Sequence, residues 1–416
     1  MSALLLVQLL AILVAARLCG WCLRRIGQPP VIGEMAAGLL LGPIVFGAMA
    51  PGLHAALFPA ASLPALSSLA TLGLVLFMCI VGAELRAVEG SRAQVRAAAR
   101  VAGLGISLPL LLGLAASPWM HPRYAPEGVG FWPFALFMAA ALSVTALPVL
   151  ARILKDRQLS RSRAGSLALG AAIIDDGVVW IFLALVLALA GGEARHVLVS
   201  AAGGLALVAL AFLALRPMYA RLLRRDLVRH PDGGLSRGAL VAVLTGLVAC
   251  AAFAELIGLH AVFGAFVFGA SLPRDEGLLS RLAAAFEPVS MLLLMPVVFA
   301  VAGQGTSPDA FAGAGAGAFV LILGIAVLGK IGGGTAGARL SGYGWRDSFA
   351  VGSLINTRGL MELVVLKIGL DVGLIGPELF TLMFGMTLAT TLMTSPLLAW
   401  CLRHAPATPA HGRHEP

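Results

Sequence analysis

Charged residues are scarce in this sequence. They make up 12% of its 416 residues, against 59% hydrophobic residues and a mean hydropathy of +0.95. Soluble domains carry about 25% charged residues, so this chain has too little polar surface to remain dissolved as a cytosolic or secreted globular protein. The same composition excludes a disordered chain, and it argues against a nucleic-acid-binding protein.

Cysteine is also rare, and five cysteines do not form the disulfide framework of a small secreted domain. Cys19 and Cys22 make a CxxC pair, but they lie at the end of an apolar segment without the βαβ context of redox proteins. The sequence also lacks a Walker motif, an HExxH pair and a Ser-His-Asp arrangement. We therefore expect no enzymatic activity and no cofactor.

What the sequence does contain is a series of apolar segments, each close to the roughly 20 residues that cross a membrane. The ninth is short enough to be a tilted or broken span, and the longest polar loop is residues 216–237. The predicted fold class is an all-α polytopic membrane protein, with one transmembrane domain over 1–402 and a short cytoplasmic tail at 403–416. The thirteen candidates are residues 2–18, 31–49, 62–84, 98–118, 131–152, 163–190, 196–216, 237–258, 259–272, 282–303, 311–339, 348–370 and 376–402.

The distribution of basic residues predicts the orientation. With the N-terminus outside, 24 of the 29 Lys and Arg residues fall in cytoplasmic loops and the tail, two fall outside, and three lie within spans. Cytoplasmic loops of membrane proteins collect Lys and Arg. The net charge of +9 therefore reflects membrane topology, and no nucleic-acid partner is needed to explain it.

Two adjacent carboxylates, Asp175 and Asp176, lie near the middle of the apolar span 163–190. Ionisable groups at that depth are costly and mark ion pathways in transport proteins. Two neighbouring carboxylates cannot both stay ionised and dry, so a cation, a proton or a Lys must compensate them. Such a pair can exchange protons for a cation near neutral pH, whereas the structural alternative is a helix-end cap or a buried, permanently protonated pair.

Lys330 is the basic residue expected to reach this pair. At 1.5 Å per residue, Asp176 lies about 20 Å and Lys330 about 14 Å from the inner ends of their spans. A long side chain can cover that difference, so we expect a Lys330–carboxylate pair, most readily with Asp175. The alternative is a Lys330 side chain that reaches back to the cytoplasmic surface.

Two other spans carry sequence that interrupts a helix. One contains Ser143, Thr145 and Pro148, and proline removes a backbone donor. The other contains Asn356 and Thr357 followed by Arg358 and Gly359. Each break alone is compatible with a simple kink, but unwound stretches at corresponding positions of two inverted halves are typical of transporter binding sites. The spans are the fifth of two predicted six-helix halves, 1–6 and 8–13.

Arg358 and Glu362 stand four residues apart, which is pairing distance on a helix. We interpret them as an ion pair that steadies the broken helix, with direct cation coordination as the alternative. Lys330 and Arg358 are thus expected to compensate buried carboxylates. Among the remaining ionisable residues within spans, Glu34 and Glu255 are compatible with cavity-facing or interfacial positions. Glu287 and Lys367 lie nearer the span ends, and their side chains are expected to reach the interface.

Taken together, these motifs resemble the monovalent cation/proton antiporter superfamily. The similarity is greatest to the branch of plant cation/H⁺ exchangers, glutathione-gated potassium efflux systems and NapA-type Na⁺/H⁺ antiporters. It extends over nearly the whole chain. The matching segments are Val31–Pro43, Val81–Leu85, Ser143–Arg152, the Asp175–Asp176 stretch, Gly258–Phe266, Gly329–Lys330 and Asn356–Leu363.

The resemblance implies inverted repeats, two crossing discontinuous helices and an elevator-like movement. It implies a dimer domain over about 1–90 and 237–303, a core domain over about 91–195 and 305–402, and a homodimer in a bacterial inner membrane. It gives Asp176 the role of principal cation and proton carrier, with Asp175 beside it. Na⁺ or K⁺ and H⁺ would be the substrates.

Two alternatives remain open from the sequence. One is a channel-like K⁺ efflux protein without strict proton coupling, and the other is a membrane sensor built on the same scaffold. The resemblance to potassium efflux systems does not extend to their large hydrophilic C-terminal domain, so gating through such a domain is not expected. The residues determine neither the selectivity between Na⁺ and K⁺ nor the number of protons exchanged per cation.

Overall fold

The computed structural model describes residues 2–84, 91–159, 162–190, 194–229, 234–273 and 275–403. These residues are almost entirely helical and include no strand, which confirms the predicted all-α class. Of the predicted tail, only Arg403 belongs to the described residues. Apolar segments in a bilayer form helices because a helix satisfies all its backbone hydrogen bonds internally.

Ten α-helices lie among the described residues from 2 to 229. They are α1 (Ser2–Arg25), α2 (Pro30–Leu41), α3 (Pro51–Leu57), α4 (Leu63–Glu84), α5 (Arg92–Tyr124), α6 (Phe131–Ser143), α7 (Leu147–Asp156), α8 (Arg163–Ala190), α9 (Ala194–Leu210) and α10 (Arg216–Arg229). One π-helical turn, Pro43–Gly47, follows α2, and another, Ala211–Leu215, joins α9 to α10 without a break.

Eight more α-helices lie among the described residues from 237 to 403. They are α11 (Arg237–Leu256), α12 (Ala261–Ser271), α13 (Glu276–Val289), α14 (Met295–Gln304), α15 (Gly315–Leu340), α16 (Trp345–Ile355), α17 (Leu360–Asp371) and α18 (Pro377–Arg403). A π-helical turn, Ser290–Leu294, joins α13 to α14.

The helices correspond to the predicted spans. Ten described helices are long and apolar enough to cross a membrane, and the bent pair α16–α17 makes an eleventh. The shorter apolar helices α2 and α12 coincide with the two remaining segments, so each of the thirteen predicted spans has a helical counterpart. The chain is therefore a multi-pass membrane protein.

Several helices extend beyond the apolar stretches that predicted them. The span 98–118 lies inside the 33-residue α5, and the segment 216–237, predicted as a polar loop, is helical as far as Arg229. The hydropathy of a segment marks the part embedded in hydrocarbon. A helix can continue beyond it into the interface, where the guanidinium groups of its arginines reach water. The loop prediction for 216–229 was wrong for this reason.

The helices pack in two sets of neighbours. In one set α1 and α2 contact each other, α2 packs on α14, and α12 packs on α4 and α11. In the other, α15 lies against α5, α16 and α18, while α8 contacts α5, α6 and α16. The backbones come very close within each set: a Cβ added at Gly38 would lie 2.2 Å from the Phe299 carbonyl oxygen, and one at Gly333 would lie 2.3 Å from that of Leu104. Small residues permit such approaches in membrane helices.

Both predicted helix breaks are present. α6 ends at Ser143 and α7 begins at Leu147, so residues 144–146 lie outside a helix. Pro148 occupies the first turn of α7, where its missing N–H costs nothing. α16 and α17 are separated by residues 356–359, and their axes differ by 42°.

Candidate functional site: the crossing of two broken helices

The two broken helices contact each other at their breaks. The Ala146 N–H donates to the Thr357 carbonyl oxygen at 2.9 Å, and the Thr145 hydroxyl donates to the Ile355 carbonyl oxygen at 3.1 Å. An unwound stretch in the interior of a membrane protein must find partners for its freed backbone groups. Here each break supplies some of the partners that the other one needs.

The Asp pair on α8 and Lys330 on α15 lie beside this crossing. The Lys330 Nζ is 3.1 Å from the Asp175 Oδ2 and donates to the Thr145 Oγ1 at 2.7 Å. Lys330 is 1% exposed and Asp175 2% exposed. Lys330 thus connects three elements: α15, α8 and the break between α6 and α7.

Asp176 is buried to the same extent but is partnered differently. It is 2% exposed, and its Oδ2 has no hydrogen-bond partner among the described residues. The Asp175 Oδ1 is likewise without a partner. Buried carboxylate oxygens are normally satisfied, so these two oxygens retain unused acceptor capacity.

Arg358 holds the end of α6. Its Nη1 donates to the Ala141 carbonyl oxygen at 3.1 Å, and its Nη2 donates to the Leu142 carbonyl oxygen. These carbonyls belong to the last turn of α6, where the usual i+4 donors are missing and a positive charge is favourable. The Nη1 also lies 2.8 Å from the Glu362 Oε1, and both residues are fully buried. The pair therefore connects the α16–α17 break to the end of α6.

The remaining predicted site residues are all buried at the crossing. Ser143 donates to the carbonyl oxygens of Ala139 and Ile106. The Thr357 hydroxyl lies 3.4 Å from that of Thr394. Asn356 is fully buried, and neither its Nδ2 nor its Oδ1 has a partner among the described residues. The Asn356 amide therefore retains its full capacity to bind a ligand or water.

Sequence reasoning missed Thr391 on α18. Its hydroxyl donates to the Arg358 carbonyl oxygen at 2.7 Å and accepts a hydrogen bond from the Arg358 N–H at 3.2 Å. The signal was present in the sequence, because Thr387, Thr391 and Thr394 recur at spacings of four and three and so share a helix face. That face supplies hydroxyls to the unwound stretch 356–359.

Trp180 was also missed. It lies one helical turn after Asp176 on α8, is 2% exposed, and stacks on Phe266 of α12 with ring centroids 5.6 Å apart. This contact joins the helix that carries the Asp pair to the other set of helices. Because Asp176 and Trp180 are four residues apart, they lie on the same face of α8.

Buried charges at the crossing of two discontinuous membrane helices define an ion-coupled secondary transporter. The family model described as "Sodium/hydrogen exchanger, transmembrane" matches residues 12–403. The chain belongs to the sodium/hydrogen exchanger family.

Similar proteins agree with this assignment. The chain is 34% identical over 402 residues to the Na⁺/H⁺ antiporter NhaS4 of Synechocystis, covering 95% of this chain and 96% of that one. It is 36% identical over 400 residues to cation/H⁺ antiporter 17 of Arabidopsis thaliana and 34% identical over 380 residues to K⁺/H⁺ antiporter 1 of Saccharomyces cerevisiae. Those matches cover 95% and 89% of this chain but only 48% and 43% of the relatives, so the chain spans about half the length of the plant and yeast proteins.

A solved structure shares the fold. The sodium/proton antiporter MjNhaP1 from Methanocaldococcus jannaschii superposes with a TM-score of 0.69 and covers 96% of this chain and 99% of its own. Its sequence is 15% identical, so the likeness concerns the fold alone.

Proposed function

We propose that this chain exchanges a monovalent cation, Na⁺ or K⁺, for protons across the membrane, with both ions competing for Asp176 and Asp175. The observation that carries the proposal is the asymmetry of the pair: Lys330 compensates Asp175, while the Asp176 Oδ2 has no partner among the described residues. A buried carboxylate without a fixed cation must bind either a proton or a mobile cation. Named relatives that exchange Na⁺ or K⁺ for H⁺ support this reading.

The neighbouring oxygens complete a coordination shell. Alkali cations prefer oxygen ligands from carboxylates, carbonyls, hydroxyls and water. The Ser143 and Thr145 hydroxyls, the Asn356 Oδ1, the Thr357 hydroxyl and the carbonyls of the two breaks are the candidates near the pair. When a cation binds, a proton leaves Asp176 and a second leaves Asp175 or Lys330. When protons return, the cation is released.

The two packed sets of helices support a proposal of alternating access. Following the boundaries that the resemblance implies, 91–195 and 305–402 for the core and 1–90 and 237–303 for the dimer domain, we assign α5–α8 and α15–α18 to a core that carries the site, and α1–α4 and α11–α14 to a dimer domain. The close backbone approaches at Gly38 and Gly333 lie within the sets, so each set can move as a body. An elevator-like displacement of the core then exposes Asp176 to each side in turn.

The test uses everted membrane vesicles with an acidified interior and a pH-sensitive dye. Addition of Na⁺ or K⁺ should release protons through the wild-type protein and collapse the gradient. Asp176→Asn should abolish this response, while Asp309→Asn, which changes an exposed carboxylate, should leave it intact. Full cation-dependent exchange by Asp176→Asn would contradict the proposal.

A second measurement separates exchange from a channel-like pathway. Under an imposed pH gradient, the voltage at which net cation flux vanishes shifts with pH if transport is proton-coupled. In an uncoupled channel that voltage depends on the cation gradient alone. We propose coupled transport, so the reversal voltage of the wild-type protein should move with pH.

The proposed setting is a bacterial inner membrane, with the N-terminus outside, the C-terminus in the cytoplasm and two copies per functional unit. The distribution of Lys and Arg over the loops supports the orientation. A fluorescent reporter fused after residue 416 should fold and emit, since it remains in the cytoplasm. The mass of the detergent-solubilised protein tests the dimer.

A further inference from the structure

A groove of about 770 Å³ lies on the outer face of the core, between α15, α16 and α18. Its walls include Ile331 and Ala336 of α15, Phe349 of α16, and Met393 and Leu397 of α18. From Val327 to Leu340 it follows α15 for about 20 Å at 1.5 Å per residue. One leaflet of the bilayer is about 15 Å of hydrocarbon, so the groove has the length of a single leaflet.

One end of the groove has the residues of a membrane–water interface. Trp345 is 71% exposed, and the guanidinium of Arg339 lies over its ring, 4.7 Å from the centroid. Tryptophan and arginine are enriched at headgroup level. The other end, at Val327, is within one turn of Lys330 and therefore close to the depth of the proposed ion site.

Three arginines converge on the turn between α15 and α16 at the interfacial end. Arg100 Nη1 donates to the Leu340 carbonyl oxygen at 3.1 Å, and Arg339 donates to the Tyr343 carbonyl oxygen. The guanidinium of Arg163 lies 5.6 Å from the centre of the Tyr343 ring. Each guanidinium has five N–H donors, so these contacts leave donors for an anion.

The local charge balance is positive. The first turn of α16 adds one more arginine, Arg346, and one carboxylate, Asp347. Arg339 thus lines the groove itself, and Arg100, Arg163 and Arg346 lie on or against the adjoining turn and the start of α16, where Asp347 is the acidic residue of the first helical turn. Arginine binds phosphate groups through two parallel hydrogen bonds, so the mouth is complementary to an anionic headgroup, while the groove accepts acyl chains.

We propose that this groove is a binding site for one anionic phospholipid, with its phosphate at Arg339 and the neighbouring arginines and its acyl chains along α15 and α18. Ile331 and Met393 adjoin Lys330 and Thr394, respectively. The lipid therefore packs on the outer face of two helices whose inner faces form the ion site. Charge complementarity at one end and a leaflet-length apolar channel at the other favour this occupant over a second protein.

The test measures lipid binding without relying on transport. Detergent-solubilised protein is titrated with phosphatidylglycerol or phosphatidylcholine, and bound lipid is counted by native mass spectrometry together with the shift in melting temperature. The wild-type protein should retain one phosphatidylglycerol tightly and show a larger thermal shift with it than with phosphatidylcholine.

Two variants separate the contributions of charge and shape. Arg339→Gln should abolish the preference for phosphatidylglycerol and leave residual binding of either lipid. Ala336→Phe, which fills the exposed wall of the groove, should remove retention of both. Arg123→Gln is the matched control for charge, because Arg123 also lies over a tryptophan, Trp119, but does not line this groove. Val320→Phe is the matched control for shape, because Val320 is a 67% exposed residue of α15 outside the groove. Both controls should behave as wild type.

Two results would overturn the proposal. In the first, Arg339→Gln and Ala336→Phe retain phosphatidylglycerol and its thermal shift as the wild-type protein does. In the second, Ala336→Phe converts a dimer to a monomer while lipid retention is unchanged, which would make the groove a contact between two copies.

Discussion

Lys330 lies 3.1 Å from the Asp175 Oδ2, whereas the Oδ2 of the neighbouring Asp176 has no partner among the described residues. One residue of separation along α8 therefore divides two chemically identical side chains into one that is ion-paired with Lys330 and one with an unpartnered buried oxygen. The difference arises because Lys330 and Thr145 meet on the Asp175 side of the helix. This asymmetry underlies the roles that we propose for the two residues.

Removing the charge of Lys330 should destabilise the protein. Lys330→Gln leaves Asp175 buried without its partner, and breaking a buried ion pair from one side costs about 3–5 kcal/mol. We expect a clear fall in melting temperature in detergent, with most of it recovered in the double variant Lys330→Gln/Asp175→Asn. The matched control is Lys367→Gln, which breaks the more exposed pair with Asp371 and should cost about 1 kcal/mol or less. Equal losses for the two lysines would contradict the assignment.

Arg358 should be less replaceable than its partner Glu362. Arg358→Gln removes the positive charge and the two hydrogen bonds to the carbonyl oxygens of Ala141 and Leu142, whereas Glu362→Gln leaves those bonds in place. We expect Arg358→Gln to lower the melting temperature more than Glu362→Gln. Arg358→Lys should not restore stability, because an ammonium group does not reproduce the planar fork of a guanidinium. A thermal scan of the three variants checks this order.

Thr391 should act by positioning the unwound stretch of the α16–α17 break. Thr391→Val leaves the Arg358 N–H and carbonyl oxygen without that partner, and each unsatisfied buried group costs about 1–3 kcal/mol. Because residues 356–359 supply proposed ligands, we expect the apparent Km for the cation to rise, and Thr391→Ser to restore it.

The control for Thr391 is Thr71→Val on α4, which removes an exposed hydroxyl bonded within its own helix. It should leave the apparent Km unchanged. If Thr391→Val lowered only the amount of folded protein and left Km at the wild-type value, Thr391 would have a structural role alone.

Trp180 should limit proton leakage past the Asp pair. Its ring stacks on Phe266 and is almost completely buried between α8 and α12. Trp180→Ala removes that apolar contact, so we expect a cation-independent proton leak in proteoliposomes, with much less leak in Trp180→Phe. Trp132→Ala changes a 65% exposed ring and is the control. A leak that is the same in all three variants and in the wild-type protein would exclude this role.

The main features of the fold are encoded locally and could be predicted. Apolar runs marked the spans, and Pro148 and the Asn356–Gly359 stretch marked both breaks because they interrupt helical hydrogen bonding. Residue depth along the spans also brought Lys330 within reach of Asp175. Helix ends such as Arg92 and Arg229 were not predicted, since hydropathy locates the hydrocarbon and not the end of a helix.

The contacts that complete the site depend on how distant segments pack. Thr391 is 33 residues from Arg358 in sequence, and Trp180 is 86 residues from Phe266. Their spacing within their own helices indicates a face but not its neighbour. The two hydrogen bonds from Arg358 to the carbonyl oxygens of Ala141 and Leu142 also depend on this packing. From the sequence, Arg358 was expected to pair only with Glu362, four residues away.

The most direct test of the central claim is proton release on cation binding, measured on purified protein in weakly buffered detergent solution with a pH indicator. Because a carboxylate must lose its proton to bind a cation, addition of Na⁺ or K⁺ should release protons from the wild-type protein. On the acid side, the cation concentration needed should rise about tenfold per unit of acidification for each proton that the cation displaces. Asp176→Asn should release none, while Asp309→Asn should match the wild-type protein. Full proton release by Asp176→Asn would contradict the account.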